Sequence, residues 1–226
     1  MPFSRSIQSL HFGLTSKCTL QCPECVRTMS DPTANTLWHG IKEQRQIDWE
    51  QYQDVVKDLT FDEILFCGNW GDPIYYPDLI EFITYIKTFT DTPIVIHTNG
   101  SYKDAEFWFN LGTVLKQDDR IVFSIDGLIT DDRYRVNNDA ESRRMGIQIL
   151  KNMTNYDRPV LEQKCLLFNY NENRIWQIVT ESRNLGFDMI SLLMPITDSN
   201  PQLAPAYNGD TFEVFFTNRV GQLNEL

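Results

Sequence analysis

The chain has no apolar run long enough to cross a membrane and no Lys/Arg run that would mark a basic patch. Its 226 residues include 20 Lys and Arg against 31 Asp and Glu, a formal net charge of −11 at pH 7. A bilayer-spanning helix needs about 20 consecutive apolar residues, so we expect no membrane segment. An acidic surface repels a phosphate backbone, so the composition disfavours nucleic-acid binding.

Cysteine is scarce, with five residues in the chain. The first residues lack the apolar stretch and small-residue cleavage site of a signal peptide, so we expect a cytoplasmic location. In that reducing compartment cysteines are thiols or metal ligands rather than disulfides.

The length, with 42% hydrophobic and 12% aromatic residues, is sufficient for one large domain with its own core.

Short apolar runs alternate with amphipathic segments along most of the sequence. The predicted strands are 7–14, 63–66, 94–97, 121–126, 164–168 and 190–194. The intervening segments carry apolar residues at helical spacing, and strand–helix pairs about 30 residues apart predict parallel βαβ units. Six strands fit either a partial barrel or an open doubly wound sheet, and the pattern alone leaves both possible.

Three cysteines, Cys18, Cys22 and Cys25, form a C-x3-C-x2-C arrangement just after the first predicted strand. Thiolates are soft ligands that suit iron–sulfur clusters or zinc. Structural zinc requires four protein ligands, whereas three thiolates on a four-iron cluster leave one iron open for chemistry. The spacing favours a cluster, with a zinc site and unliganded thiols as alternatives. Cys67 and Cys165 lie among apolar residues and are expected to pack in the core.

Polar turns follow the next three predicted strands. Glycines in the first turn allow a close approach of the backbone to a ligand. Alternation along the fourth strand predicts that Ser124 and Asp126 share one side, and an inward Asp needs a partner. The carboxyl ends of parallel strands meet at one edge, which predicts a binding site there. The turns are CGNWGDP at 67–73, TNG at 98–100 and SIDG at 124–127.

The cysteine spacing resembles the defining motif of the radical S-adenosylmethionine (SAM) superfamily. GNWGDP, TNG and SIDG resemble a subgroup related to SPASM-type enzymes, over residues 10–195. The resemblance implies a partial (β/α)6 barrel of parallel strands with helices outside, forming a core domain at 1–196. No cysteine follows Cys165, so the SPASM extension and its additional clusters are expected to be absent. Residues 197–226 would be a C-terminal extension that caps the site.

The activity implied by the resemblance is radical chemistry. A 4Fe-4S cluster on Cys18, Cys22 and Cys25 would bind SAM at its open iron and cleave it reductively to a 5′-deoxyadenosyl radical, which abstracts hydrogen from a substrate. The expected partners are a peptide, protein or small-metabolite substrate and an electron donor such as flavodoxin or ferredoxin. The loop 26–46 and the tail 197–226 are candidates to face the substrate. A non-catalytic cluster protein on the same fold is the alternative.

The resemblance also assigns residues to the amino end of SAM. Gly68, Gly71, Asp72 and Pro73 match the Gly-Gly-Glu-Pro motif that holds the SAM amino group, with Asp in place of Glu. Asn99 belongs to the Thr-Asn-Gly that ends the third strand in many members. A carboxylate one methylene shorter than Glu can still accept a hydrogen bond from an ammonium.

Further residues are assigned to the rest of SAM. Ser124 and Asp126 would face the ribose and the methionyl part. Arg135, in a Tyr-Arg pair found in related members, would meet the SAM carboxylate, with Arg133 or Lys164 as alternatives.

Two expected contacts lie toward the nucleoside. Asn171 would contact the ribose, and Met194 would lie against the adenine. Glu24 stands where the superfamily commonly has an aromatic residue that packs on the adenine. His97, just before TNG, is expected to pack within the sheet.

Overall fold

Six parallel strands form one sheet in the part of the chain that the computed structural model describes, which is residues 7–23, 25, 27, 45–58, 60–68, 70–130, 132–153 and 157–193. The sheet is hydrogen-bonded in chain order, and every neighbouring pair is parallel. The predicted parallel α/β sheet is confirmed. The strands are β1 (Ile7–Phe12), β2 (Phe61–Phe66), β3 (Ile94–Thr98), β4 (Arg120–Ser124), β5 (Val160–Leu166) and β6 (Met189–Leu193).

The described helices lie in a single layer. Each helix contacts the next one along the chain. Because the strand order never reverses and βαβ crossovers are right-handed, these helices cover the same face of the sheet. This arrangement is the partial barrel with helices outside, rather than a doubly wound sheet covered on both faces. The helices are α1 (Gln53–Asp58), α2 (Leu79–Phe89), α3 (Ala105–Val114), α4 (Ala140–Lys151) and α5 (Ile175–Leu185).

The two faces of the sheet differ in chemistry. The face under the helices is apolar, and its side chains are fully buried against helix residues such as Phe82 and Trp108. Side chains alternate between faces along a strand, so the intervening positions lie on the inner face, which carries charged residues of β4 and β5. The apolar set includes Ile64, Phe66, Ile94, Ile96, Ile121 and Phe123, and the inner-face set includes Arg120, Ser124, Glu162 and Lys164.

Several boundaries differ from the predicted ones. β4 ends at Ser124 rather than at residue 126, and β5 begins at Val160 rather than at residue 164. Asp48 caps a 3-10 turn, Trp49–Tyr52, that precedes α1. Gly186 ends α5 with a φ of 99°, the left-handed conformation that glycine adopts most easily.

Some predictions fall on residues outside the described part of the chain. Most of the loop 26–46 and all of the tail 197–226 lie there, so the domain division and the capping role stay predictions. Among the described residues no helix combines the length and the apolar character needed to cross a membrane.

Candidate active site

A cavity of about 550 Å³ opens at the carboxyl edge of the sheet. The loops that follow β1, β2, β3 and β4 form its wall together with the end of β5. Of the other described candidates, Pro73, Asp126 and Asn171 do not line it, and Met194 lies outside the described residues. The predicted site residues that line it are Cys18, Cys22, Cys25, Gly68, Gly71, Asp72, Asn99, Ser124 and Arg135.

The cysteine loop brings its three thiols to this cavity. The backbone N–H of Cys25 donates to the carbonyl of Cys22 over 3.1 Å, which closes the turn between the two ligands. The Cys18 sulfur accepts from the backbone N–H of Leu20 at 3.4 Å and from the Asn99 amide at 3.6 Å. Donors aimed at a sulfur stabilise its thiolate form, which is the form that binds metal.

The donor chemistry of this loop fits an iron–sulfur cluster. Burial raises the pKa of Cys18, and it raises the pKa of Cys22 to about 11, so both are protonated thiols until a metal displaces the protons. Within the described ranges, no three His, Cys, Asp or Glu side chains are already arranged around an ion position. The three thiols nevertheless share one short loop and one cavity, a soft donor set suited to iron and sulfide.

Arg27 holds the cysteine loop from within. Its Nη1 donates to the carbonyls of Ser16 at 3.3 Å and Cys18 at 2.9 Å, and its Nη2 donates to the carbonyl of Leu20 at 3.2 Å. Arg27 belongs to the loop 26–46, which is predicted from the sequence to face the substrate. The contacts instead give it a positioning role, because a planar guanidinium joined to three carbonyls fixes the loop that carries Cys18.

The glycine-rich turn after β2 packs backbone to backbone against the cysteine loop. The N–H of Asp72 donates to the carbonyl of Lys17 at 2.9 Å. A Cβ at Gly71 would overlap the carbonyl oxygen of Thr15 and lie 2.9 Å from that of Lys17. Gly71 is therefore required for this close approach, independently of any ligand contact.

We predict that Gly71→Ala displaces the cysteine loop. The new methyl group would meet backbone atoms rather than a flexible side chain, so we expect a loss of about 1–3 kcal/mol in the free energy of unfolding, as for overpacked sites, and a reduced uptake of iron. Gly13→Ala is the matched control, because nothing lies within 4 Å of a Cβ there. Denaturant unfolding and iron analysis of both variants test this. Equal stability and iron content in the two would contradict the tight packing at Gly71.

Asp72 joins the glycine turn to the end of β3. One carboxylate oxygen accepts from the Thr98 hydroxyl at 2.8 Å and from the N–H of Ile74 at 3.2 Å. The other accepts from the backbone N–H of Asn99 at 2.6 Å and from the Asn99 side-chain amide. Burial raises the pKa of Asp72, and these donors oppose that shift. Both oxygens are already engaged, so the described contacts give Asp72 the role of holding Asn99; a direct contact with the SAM amino group stays a prediction.

Asn99 is fixed from three sides. Asp72 holds its N–H and its amide, its side-chain oxygen accepts from the N–H of Ser101 at 2.9 Å, and its carbonyl accepts from the Arg143 Nε at 2.8 Å. Arg143 is fully buried and forms a 2.9 Å ion pair with Asp132. This buried network, of a kind that is costly to break, holds the Asn99 amide at the Cys18 sulfur.

Asp126 lies behind the cavity wall and positions Arg135. Its fully buried carboxylate accepts from the Arg135 Nε at 2.6 Å and from the N–H of Leu166 at 2.8 Å. The alternation argument placed Asp126 beside Ser124, but β4 ends at Ser124, so the chain has already left the strand at Asp126. Arg135 lines the cavity and Asp126 does not.

Asn171 braces the loop after β5. Its side-chain oxygen accepts from the N–H of Phe168 at 2.7 Å, and its amide donates to the carbonyls of Leu166 at 2.9 Å and Asp126 at 3.2 Å. The side chain is buried, and these bonds use its polar atoms within the protein. The predicted ribose contact has no geometric support in these contacts.

Two lining residues were expected elsewhere. Cys67 and His97 were expected to pack within the fold, yet both are half-buried and line the cavity; Lys164, an alternative partner for the SAM carboxylate in the sequence analysis, lines it as well. The strand register explains why these side chains reach the cavity. Lys164 pairs with Ser124 and His97 pairs with Val122, all on the inner face. Cys165 is fully buried in an apolar cluster, as expected.

Comparisons with solved structures identify the fold. The chain is similar to anSMEcpe with bound AdoMet (TM-score 0.64, 13% identity, 97% of this chain and 60% of that one). It is also similar to Streptococcus suis SuiB bound to precursor peptide SuiA (TM-score 0.60, 16% identity, 84% and 39%) and to TYW1 with a lysine-pyruvate adduct (TM-score 0.54, 14% identity, 97% and 72%). These neighbours are radical SAM enzymes, so the chain has the radical SAM fold.

The sequence comparisons add little. No family model matches the chain. A curated protein named GTPase Obg from Brachyspira hyodysenteriae (strain ATCC 49526 / WA1) is 33% identical over 86 residues, which are 37% of this chain and 12% of that protein. The match covers too little of either chain to assign a family. The chain also spans 60% of the anSMEcpe length and 39% of the SuiB length in these comparisons, so their whole activities do not transfer with the fold.

Proposed function

We propose that this chain, which has the fold of radical SAM enzymes, binds a 4Fe-4S cluster through Cys18, Cys22 and Cys25 and uses SAM for radical chemistry on a substrate still to be identified. One observation carries the proposal. The cysteine loop and the glycine-rich turn are joined backbone to backbone, and both face one cavity at the carboxyl edge of the sheet. Ligands bind at that edge in parallel α/β folds.

The protein's own contribution is binding and orientation. When bound, the cluster and SAM together supply the electron transfer and the radical chemistry. The cysteines hold the cluster, and the N–H donors at the Cys18 sulfur favour its thiolate. Since three protein ligands leave a four-iron cluster one open position, an amino-acid ligand such as SAM can bind there.

Some of these residues would contact SAM directly, and others would hold the contacting residues in place. Arg135 offers a guanidinium to the SAM carboxylate, Ser124 offers a hydroxyl, and Gly68 and Gly71 let the turn pack closely against its own backbone and the cysteine loop at the cavity wall. The supporting groups are Asp126, which orients Arg135, and Asp72, which orients Asn99.

A peptide or protein is one candidate substrate and a small metabolite is the other. Support for a peptide comes from two neighbours, SuiB bound to precursor peptide SuiA and anSMEcpe with bound AdoMet and Kp18Cys peptide. An electron donor of the flavodoxin or ferredoxin type would reduce the cluster. A cytoplasmic location would keep the ligand thiols reduced.

The formation of 5′-deoxyadenosine tests the proposal. The protein is reconstituted with iron and sulfide without oxygen, reduced with dithionite and incubated with SAM. We expect 5′-deoxyadenosine and methionine, and neither product when the reductant is omitted. A fully loaded, reduced protein that yields no 5′-deoxyadenosine would contradict the enzymatic assignment and favour a non-catalytic cluster protein.

A further inference from the structure

The inner face of the sheet carries a row of charged side chains on β2, β4 and β5. Arg120 on β4 lies 3.0 Å from Glu162 on β5 and 3.9 Å from Glu63 on β2. Glu162 also accepts from the Ser191 hydroxyl at 2.6 Å. These groups satisfy one another, so the amino-terminal part of the inner face forms a closed ionic network.

Lys164 lies outside this network. It follows Glu162 by two residues on β5, pairs with Ser124 on β4 and with Ser191 on β6, and lines the cavity. Its ammonium forms no ion pair or hydrogen bond with any residue of the described ranges. A half-buried ammonium without an acid partner is unusual, because burial penalises an uncompensated charge.

His97 adds a neutral hydrogen-bonding group to the same wall. It lies on β3, one strand from β4, with its imidazole toward the cavity. Burial, then the positive charge of Lys164, lowers the pKa of His97 to about 4. The imidazole is therefore neutral near pH 7, with one N–H to donate. Lys164 and His97 thus present one positive charge and one neutral donor on this wall.

Lys164 and Arg135 have different charge neighbours within the cavity. Arg135 acts electrostatically on Cys22, and Arg27 acts on Cys18. Lys164 acts on Cys67 and His97. Arg27 and Arg135 therefore lie near the cysteine ligands, and Arg135 suits the SAM carboxylate, whereas Lys164 lies on the side of the same cavity that carries Cys67 and His97.

We propose that Lys164, assisted by His97, binds a carboxylate of the substrate. The inference rests on the proposed function, because it takes SAM to occupy the space beside the cysteine loop. A monoanion fits better than a phosphate dianion. Among the described residues the site has one ammonium without an acid partner, and Glu162 lies two residues away on the same face. The carboxylate can belong to a peptide side chain or to a small carboxylic acid.

Equilibrium binding to the reconstituted, SAM-loaded protein tests the subsite. The probes are acetate, N-acetyl-glutamate α-amide, its neutral glutamine analogue and inorganic phosphate, each titrated by calorimetry. We expect at least one carboxylate probe to bind, and Lys164→Met to weaken it by about tenfold or more, as for a hydrogen bond to a charged group. Lys164→Arg should restore much of the binding. Lys57→Met is the matched control on the exposed surface of α1.

The pattern across the probes identifies the source of the carboxylate. Preference for the glutamate amide over acetate supports a peptide-like substrate, and preference for acetate supports a small acid. Binding of phosphate above both carboxylates, equal binding by wild type and Lys164→Met, or no carboxylate binding by wild type would each overturn the proposal.

Two further readouts separate this subsite from the proposed function. The SAM dissociation constant is measured for Lys164→Met and for Arg135→Met. If Lys164→Met weakens SAM binding as much as Arg135→Met does, Lys164 serves the cofactor and the carboxylate proposal fails. The yield of 5′-deoxyadenosine from the wild-type protein without any probe tests the proposed function alone, because that measurement does not depend on the subsite.

Discussion

A protein that carries Cys18→Ala, Cys22→Ala and Cys25→Ala together is expected to lose its iron and its brown colour. The wild-type protein should take up about four iron and four sulfide per chain after anaerobic reconstitution. The three thiols line one cavity and lie on one loop, so their removal leaves no soft donor set at that position. Iron and sulfide analysis with the visible absorption spectrum measures the change.

Two single substitutions serve as controls for the triple variant. Cys165→Ala removes a thiol that is fully buried in an apolar cluster, and Cys67→Ala removes one that lines the cavity but follows β2. Both should retain full iron. Iron retained by the triple variant, or lost equally from Cys67→Ala, would show that the ligands are assigned incorrectly. A colourless protein containing zinc would support the zinc alternative.

Asp72→Asn is expected to weaken SAM binding by about 10- to 100-fold while the iron content stays close to normal. The carboxylate accepts four hydrogen bonds, two of them from Asn99. An amide nitrogen in place of one oxygen cannot accept, so at least one buried donor loses its partner, at about 1–3 kcal/mol. Removing a buried charge offsets part of this cost. Whichever way the new amide is oriented, at least one N–H donor of Ile74 or Asn99 loses its acceptor, so the wall of the proposed SAM site is held less tightly.

The control is an Asp-to-Asn substitution at an exposed position. Asp104 is an exposed N-cap that accepts from the N–H of Phe107 at 2.8 Å, and Asn caps helices about as well as Asp. Asp104→Asn should therefore bind SAM as the wild type does. Calorimetric SAM titration of both reconstituted variants provides the comparison. A wild-type SAM affinity in a folded, iron-loaded Asp72→Asn protein would contradict the positioning role of Asp72.

The order of strands and helices was predictable because it depends on local hydrophobic periodicity. The start of β5 was not. Glu162 and Gln163 are polar, so the pattern indicated a strand that begins at residue 164. In the fold Glu162 bonds to Arg120 and Ser191, and Gln163 donates to the carbonyls of Ile125 and Gly127. These partners come from other strands and loops, and a single segment does not reveal them.

The sequence predicted which loops form the candidate site better than it predicted what each side chain contacts. Cys18, Cys22, Cys25, Gly71 and Arg135 line the cavity, whereas their contacts with a cluster and SAM stay predictions. Asp126 and Asn171, by contrast, bond to the protein itself. Polar residues after strands can either face a ligand or hold a loop, and sequence spacing does not distinguish these roles. The burial and the hydrogen-bond partners of each side chain distinguish them.

Three thiolates on a four-iron cluster would leave one iron open for SAM. The electron paramagnetic resonance spectrum of the reconstituted, reduced protein, recorded before and after addition of SAM, shows whether SAM binds at that iron. We predict the signal of a reduced 4Fe-4S cluster and a clear change of that signal when SAM is added, because a new ligand joins the open iron. A spectrum that is identical with and without saturating SAM, or the absence of any cluster signal, would show that SAM does not bind a cluster held by these cysteines.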